Sequence, residues 1–276
     1  MALCWTGFVM LFFSFSTTQE YYSMPIYPAL ALLIGSAMAE GGSWVRGGTR
    51  LAAVLAGIGA VVAVAVLIAV RSLPTSGDVQ AALEQHPEAY TLSLGHLQDF
   101  TLRSFAYFRE PLLVAALALL LGAVGAWCFS DARAFFALAL MMMVFSQATR
   151  MALVVLEPTM SSRALAEAMN QSPPGEMIVG DEYYSFSSVF FYTHRRGLLT
   201  NRVNNLEYGS NAPGAPKAFL SPPELKARWQ SPQRAYLLAA QSALPRFREL
   251  LGADGMYLVK ESGGKFLFCN QTLDRP

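Results

Sequence analysis

Charged side chains are scarce in this sequence, and their scarcity excludes an ordinary soluble protein. Only 14% of the 276 residues are charged, whereas soluble domains average about 25%. The shortage is greatest in the first 156 residues, which contain seven of the twenty basic residues: Arg46, Arg50, Arg71, Arg103, Arg109, Arg133 and Arg150. The net charge of +1 provides no excess of basic residues, so nucleic acid is not an expected partner. Because basic residues are so much rarer in residues 1–156 than in residues 157–276, these two parts of the chain are expected to lie in different solvents.

Cysteine, histidine and the usual catalytic signatures are also in short supply. The three cysteines are Cys4, Cys128 and Cys269, and the first two lie in apolar runs, so no disulfide within one domain and no cysteine metal site is expected. The sequence has only three histidines, and they are widely separated. It contains no glycine-rich phosphate loop, no histidine pair at metal spacing and no Gly-x-Ser-x-Gly elbow. We therefore predict neither a bound metal nor a resident cofactor.

Five apolar runs predict membrane-spanning helices in residues 1–156. The clearest run has no polar side chain over twenty residues, and as a helix it would cover about 30 Å, the thickness of the hydrocarbon core. Backbone groups inside lipid must form their hydrogen bonds within each segment, which favours helices. The predicted spans are residues 1–16, 24–40, 51–70, 111–129 and 134–156, with a connecting outer loop at 71–110.

The pattern changes after residue 156. Short strand-like runs at 176–180, 198–200 and 235–239 alternate with helical segments, and a hairpin is predicted across Ser262-Gly263-Gly264. This alternation indicates a small soluble α/β domain over residues 157–276. The predicted fold class is an α-helical polytopic membrane bundle of about five transmembrane helices, followed by that domain.

Basic residues in two short loops indicate an orientation. Arg46 and Arg50 precede the third predicted span, and Arg133 lies between the fourth and the fifth. Because short cytoplasmic loops are enriched in arginine and lysine, both loops are assigned to the cytoplasm. The loop at 71–110 and the domain at 157–276 would then be extracytoplasmic.

Two features of the membrane part are candidate binding sites. Gln19, Glu20, Tyr21 and Tyr22 form a polar stretch between the first two predicted spans. Tyrosine hydroxyls can donate hydrogen bonds to phosphate oxygens, although interfacial tyrosines also act simply as membrane anchors. Arg150 lies in the last apolar run, where it would either extend to the interface or face a partner such as a lipid phosphate.

Several residue groups match known motifs in their order and in their spacing relative to the spans. They are Phe12-Phe13-Ser14, Tyr22-x-x-Pro25, Tyr27-Pro28-Ala29-Leu30, Phe190-Phe191-Tyr192, Arg195, Leu206-Glu207-Tyr208-Gly209, Phe219, Trp229 and Ala235-Tyr236. Together they resemble the C-terminal part of bacterial polyprenyl-phosphate-dependent glycosyltransferases, the aminoarabinose-transferase-like relatives of protein O-mannosyltransferases.

The resemblance implies an enzyme of the bacterial inner (plasma) membrane whose C-terminal domain is extracytoplasmic. Its donor substrate would be a polyprenyl-phosphate sugar, and its acceptor a lipid or a protein at the outer membrane face. Tyr22 would contact the carrier phosphate, with Gln19, Glu20 and Tyr21 nearby. The basic residues that are common in the family's polar stretch are replaced here by Thr17, Thr18 and Gln19, so the donor preference does not carry over.

The family's catalytic aspartate lies in a first periplasmic loop that has no counterpart here. The resemblance therefore predicts the C-terminal part of a transferase, inactive alone, with an N-terminal half of the same enzyme as partner and membrane lipids around it. No catalytic residue is assigned, and Glu20, the only acid between the first two spans, is a weaker candidate base. The alternative is a non-enzymatic membrane-anchored module whose outer domain binds an envelope partner. A transporter fragment is less favoured, because no pair of broken helices is evident.

Overall fold

The computed structural model describes residues 1–15, 20–75, 77, 79–83, 100–180, 183–200 and 206–272. The chain forms two compact units. The first, called here the membrane unit, comprises Met1–Thr75 and Ala82–Val154. The second, called the sheet unit, comprises Ser76–Ala81 and Val155–Pro276.

The membrane unit is built from helices. Four helical stretches are long and apolar enough to cross a membrane, namely Tyr22–Glu40, Ser43–Val70, Ser104–Cys128 and Asp131–Met160, and Ala2–Ser14 is a shorter apolar helix. We number the α-helices α1 (Ala2–Ser14), α2 (Tyr27–Glu40), α3 (Ser43–Val70), α4 (Arg109–Cys128) and α5 (Asp131–Met160), and the last turn and a half of α5, from Val155, belongs to the sheet unit. Short 3-10 turns at Glu20–Ile26 and Ser104–Phe108 precede α2 and α4. The predicted helical membrane region is thus confirmed as a fold.

Two of the helices, α3 and α5, extend beyond the apolar runs from which they were predicted. Helix α3 begins at Ser43 rather than near residue 51, and α5 ends at Met160 rather than near residue 156. Hydropathy marks the part of a helix that suits lipid, whereas the backbone hydrogen bonds continue through the flanking polar residues. The 30 residues of α5 measure about 45 Å, which is longer than the hydrocarbon core.

Small residues bring α3, α4 and α5 into close antiparallel contact. A Cβ placed on Gly59 would lie 3.2 Å from Leu119 in α4, and one on Gly125 would lie 2.5 Å from the Cβ of Ala137 in α5. Apolar side chains gain little by leaving lipid for one another, so close packing by glycine and alanine is the main source of attraction between these helices. We therefore expect large substitutions on these faces to separate the helices.

The sheet unit is a five-stranded mixed sheet in the order β2-β1-β3-β5-β4. Its strands are β1 (Glu176–Val179), β2 (Gly197–Leu199), β3 (Ala235–Ala240), β4 (Tyr257–Ser262) and β5 (Lys265–Cys269). Strand β1 pairs in parallel with β2 and β3, whereas β5 is antiparallel to both β3 and β4. The predicted hairpin across Gly263 is present, and the predicted α/β fold class is confirmed.

Helices cover both faces of this sheet. They are α6 (Arg163–Gln171) and α7 (Ser187–Thr193) on one face and α9 (Pro222–Trp229) and α10 (Leu244–Leu251) on the other, whereas the short α8 (Glu207–Ser210) adds no described residue to either core. Side chains alternate along β1, so that Met177 and Val179 pack with α6 and α7, whereas Ile178 packs with α9 and α10. The sheet unit therefore has three layers and a hydrophobic core on each side of the sheet.

The β4–β5 hairpin holds the end of α5. The Lys265 ammonium donates hydrogen bonds to the carbonyl oxygens of Thr159 at 2.7 Å and Ser161 at 3.2 Å. Lys265 is only 7% exposed, and burial lowers its pKa from 10.5 to about 8, while the nearby Glu157 carboxylate acts in the opposite direction. The cation satisfies carbonyl groups at the negative end of the longest helix.

This burial predicts a stability that depends on pH. Between pH 8 and 10.5 the unfolded chain keeps the Lys265 proton more firmly than the folded chain does, so the free energy of unfolding should rise with pH, by about 2 kcal/mol after allowing for solvent screening. Thermal unfolding midpoints of the full chain in detergent, measured across this range, would detect the rise. In Lys265→Met the rise should disappear, and a rise that persisted there would assign it to another group.

Candidate functional site at one end of the membrane helices

Tyr22 lies in the 3-10 turn Glu20–Ile26 that leads into α2. Its half-buried ring packs against Phe13 of α1, with ring centroids 5.3 Å apart and planes inclined by 30°. Pro25 lies within the turn and a second proline occupies the first positions of α2, so the fixed φ of each proline restricts the backbone beside Tyr22. The tyrosine is thus held by an aromatic neighbour and by a stiff backbone.

The other members of the tyrosine-rich stretch are described less fully. Glu20 and Tyr21 belong to the same 3-10 turn as Tyr22. Gln19 lies outside the described residues. The assignment of these residues to a phosphate site therefore stays a prediction.

Arg150 is exposed on α5, and its guanidinium makes no hydrogen bond or ion pair with any described residue. The side chains that follow the same helical surface are mostly satisfied by the helix itself: Ser146 donates to the carbonyl of Met142 at 2.8 Å, and Thr149 donates to the carbonyl of Phe145 at 3.2 Å. The partner of this charge therefore lies outside the part of the membrane unit that the structure describes.

The helix lengths give the depth of Arg150. It follows Asp131, the first residue of α5, by nineteen positions, which corresponds to about 28 Å along the helix axis. Gly125 of α4 contacts Ala137 of α5. Counting residues along both helices from this contact places Arg150 about one helical turn closer to the middle of the membrane unit than Arg109. Arg150 is therefore near one end of a hydrocarbon core of about 30 Å and not at its centre.

Arg109 lies near the same end of the membrane unit as Arg150, and its hydrogen-bond partners could not be predicted from the sequence. Its guanidinium donates hydrogen bonds to the carbonyl oxygens of Val70, through Nε at 3.2 Å, and of Leu73. Val70 is the last residue of α3 and its carbonyl also accepts from the Leu73 N–H, so Arg109 connects the turn that ends α3 to the first residue of α4. The sequence showed only an arginine next to an apolar run; nothing in it indicated a partner 39 residues away.

No described residue group has the composition of a metal site. Tyr22 and Arg150 lie on different helical hairpins, and the structure joins them by no hydrogen bond. What the membrane unit presents is a tyrosine beside a proline-rich turn and an unpaired arginine near one membrane boundary. These are groups that bind oxyanions by hydrogen bonding and by charge.

The fold defines a class: polytopic membrane proteins in which a helical bundle is followed by a small three-layer α/β domain. Two solved structures share it across 98% of this chain. The crystal structure of ArnT from Cupriavidus metallidurans in the apo state superimposes with a TM-score of 0.63 and 18% sequence identity. The structure of the same protein bound to undecaprenyl phosphate gives a TM-score of 0.64 and 17% identity.

ArnT is an aminoarabinose transferase, a polyprenyl-phosphate-dependent glycosyltransferase. This chain spans about half the length of ArnT, namely 46% of it. No protein-family model and no curated protein sequence matches this chain. At 17–18% identity the similarity to ArnT establishes the fold alone. The predicted resemblance to this class of transferase is therefore confirmed for the fold.

Proposed function

We propose that this chain forms part of a bacterial membrane glycosyltransferase that moves a sugar from a polyprenyl-phosphate carrier to a lipid or protein acceptor on the periplasmic side. The observation that supports the proposal most strongly is the common fold with ArnT, a transferase solved with undecaprenyl phosphate, over 98% of this chain. The chain would lie in the inner membrane with the sheet unit outside the cytoplasm.

The proposed site recognises the phosphate of the carrier. The Tyr22 hydroxyl donates a hydrogen bond to a phosphate oxygen, and Arg150 supplies the positive charge, with Gln19, Glu20 and Tyr21 beside the headgroup. When the sugar leaves the carrier, negative charge grows on the phosphate, and donors aimed at its oxygens stabilise that charge more in the transition state than in the ground state.

Transfer also requires a base to accept the proton of the acceptor group. We assign this role to no residue of the chain. In our proposal the base is a carboxylate in a segment that corresponds to the part of ArnT that this chain does not span. The chain alone would then bind the carrier without transferring the sugar, and co-expression with such a segment should restore transfer.

Removing the Tyr22 hydroxyl should weaken carrier binding. In Tyr22→Phe the ring contact with Phe13 is kept, but the hydrogen bond to the charged phosphate is lost, so the dissociation constant for undecaprenyl phosphate should rise about tenfold. The measurement is equilibrium binding of radiolabelled undecaprenyl phosphate to the chain in lipid nanodiscs. Tyr27→Phe is the matched control, because Tyr27 begins α2 one turn later and is 58% exposed.

The same titration decides between the proposal and its alternative. If the unmodified chain shows no saturable binding of undecaprenyl phosphate, the proposed function is wrong, and a membrane-anchored module that binds an envelope partner becomes the better hypothesis. Equal affinities for Tyr22→Phe and the unmodified chain would remove Tyr22 from the site while leaving carrier binding in place.

A further inference from the structure

Two arginines lie at the edge of the sheet where its parallel strands begin. The Glu176 N–H donates to the Arg234 carbonyl oxygen at 2.9 Å, and the register of β1 and β3 puts Arg234 beside Gly175. The register of β1 and β2, continued by two residues before the start of β2, puts Arg195 on the other side of Gly175. Neighbouring strands are about 4.8 Å apart, so the Cα atoms of the two arginines are about 10 Å apart.

The side chain of Arg234 leans across the glycine between them. A Cβ on Gly175 would lie 2.9 Å from Cγ of Arg234 and 2.8 Å from the ring of Tyr236. Side chains alternate along a strand, so Arg234 and Tyr236 are on the same face of β3. The buried Tyr236 hydroxyl donates to the Pro173 carbonyl oxygen at 2.7 Å. The missing side chain at Gly175 therefore leaves the room that the stem of Arg234 and the Tyr236 ring occupy.

Both arginines act on the hydroxyl of Tyr236. Burial raises the pKa of Tyr236, and the nearby Cys269 acts in the same direction. A hydrogen bond with Ser172 opposes the rise, and so do the positive charges of Arg234 and Arg195. Because the effect of a charge falls with distance, both guanidinium groups lie near this hydroxyl. The strand register and the electrostatics thus agree in bringing the two cations together.

Neither guanidinium has an anionic partner within the described part of the chain. The Nε atom of Arg234 is shielded from water and makes no hydrogen bond. The side chain of Arg195 forms no hydrogen bond or ion pair with any described residue. A shielded donor without an acceptor is rare in folded proteins and commonly indicates that an ion or another molecule completes the site.

Two carboxylates of neighbouring elements are already paired. Glu176 accepts a hydrogen bond from Arg228 of α9 at 2.6 Å, and by alternation along β1 it points to the face opposite Met177. On α6, Glu167 pairs with Arg163 at 2.7 Å. The carboxylates of Asp181, Glu182, Glu207 and Asp274 lie outside the description that the structure gives.

The charges of the two arginines match a phosphate group. A phosphate monoester carries a charge of about −1.5 to −2 at pH 7 and has three acceptor oxygens. Guanidinium groups bind such oxygens through two parallel hydrogen bonds each, and the attraction is strongest where water is partly excluded. A carboxylate has a single charge and two oxygens, so it would satisfy one arginine and leave the other without a partner.

We propose that Arg195 and Arg234 bind the phosphate group of a small phosphorylated molecule at the edge of the sheet unit where β1, β2 and β3 begin. Both side chains are partly exposed, so a molecule in solution can reach them. The opposite end of β3 pairs with Lys265, which holds the end of α5, so the two cationic sites of the sheet unit lie at different edges. The site belongs to the sheet unit alone and is independent of carrier binding by the membrane unit.

Equilibrium dialysis of radiolabelled glycerol 3-phosphate against the full chain tests the site. The chain is kept in dodecyl maltoside, a detergent without phosphate. The parent should bind the ester saturably, and inorganic phosphate should compete with it, whereas acetate at the same concentration should not. Arg195→Gln and Arg234→Gln should each raise the dissociation constant about tenfold, because each removes one set of charge-assisted donors. Arg196→Gln is the matched control, because Arg196 is exposed next to Arg195 and its loss removes the same charge.

Unchanged affinity in Arg195→Gln or in Arg234→Gln would overturn the proposal, and so would an equal loss in Arg196→Gln, which would indicate a diffuse effect of charge. Acetate that competes as well as phosphate would overturn the assignment of the ligand. Failure of the parent to bind the ester would overturn the proposal too, and this includes the case in which the Asp274 carboxylate fills the site. Binding that Arg150→Gln abolishes and Arg234→Gln leaves intact would instead place the ester in the membrane unit.

Thermal unfolding distinguishes a lost ligand contact from a damaged fold. Arg234→Gln removes a cation that has no partner, so without ligand its unfolding midpoint should equal or exceed that of the parent. Glycerol 3-phosphate should raise the midpoint of the parent and of Arg196→Gln but not that of Arg234→Gln, because a ligand stabilises only a fold that binds it. Should Arg234→Gln melt well below the parent, Arg234→Lys takes its place, since it keeps the charge and loses the paired donors.

Discussion

Replacement of Arg150 by glutamine should raise the dissociation constant for undecaprenyl phosphate about thirtyfold. The guanidinium is unpaired among the described residues and lies near one boundary of the hydrocarbon core, where a carrier phosphate would be found. A hydrogen bond between two charged groups is about twice as strong as a neutral one, and the low dielectric constant near lipid increases its contribution. Binding of radiolabelled carrier in nanodiscs measures the change.

The matched control for this substitution is Arg133→Gln. Arg133 is exposed in the first turn of α5, at the opposite end of the same helix, so its loss removes the same charge about 25 Å away. Arg150→Lys keeps the charge but loses the paired donors, and it should fall between the parent and Arg150→Gln. If Arg150→Gln and Arg133→Gln bind the carrier equally well, Arg150 only extends to the interface and is not part of the site.

The membrane helices could be predicted from sequence because lipid imposes one simple requirement. A run such as residues 51–70 has no polar side chain, and only a helix satisfies its backbone in lipid. The ends of the helices were less predictable, because Ser43 and Met160 lie in polar flanks whose helical state depends on local hydrogen bonds. Hydropathy contains no information about those bonds.

The sheet unit shows a different limit. The strands β1, β3 and β5 are short apolar runs with clear turn signals, so their existence was predictable. Their order was not, since the neighbours of β1 are β2 and β3, and nothing local specifies which side each occupies. Long-range polar contacts were equally hidden. Lys265 reads as a surface lysine in sequence, yet it is buried against carbonyls more than a hundred residues away.

The candidate site was predictable in its chemistry but not in its arrangement. Tyrosines next to prolines and an arginine in an apolar run are conspicuous in any sequence. The depth of Arg150 followed only from the observed start of α5 and from its contact with α4 through Gly125. Composition therefore selects candidate residues, whereas the packing of helices decides whether they lie at a membrane boundary.

Substitution of Gly263 by alanine should destabilise the sheet unit by about 3 kcal/mol or more. Gly263 has φ +58° in the β4–β5 turn, and an added Cβ would overlap the carbonyl group of Pro158 and lie 2.8 Å from the backbone nitrogen of Thr159. Backbone atoms cannot move aside as a flexible side chain would, so the hairpin must shift away from the end of α5. The hydrogen bonds from Lys265 to Thr159 and Ser161 would then be strained or lost.

Gly252→Ala separates this clash from the cost of the backbone conformation alone. Gly252 also has a positive φ, of +84°, but a Cβ there would meet nothing within 4 Å, so only the conformational penalty of about 1 kcal/mol applies. Thermal unfolding of the full chain, followed by near-UV circular dichroism, should show a much larger drop in the midpoint for Gly263→Ala than for Gly252→Ala. Similar small drops would mean that the hairpin does not press on α5, because only that contact distinguishes the two glycines.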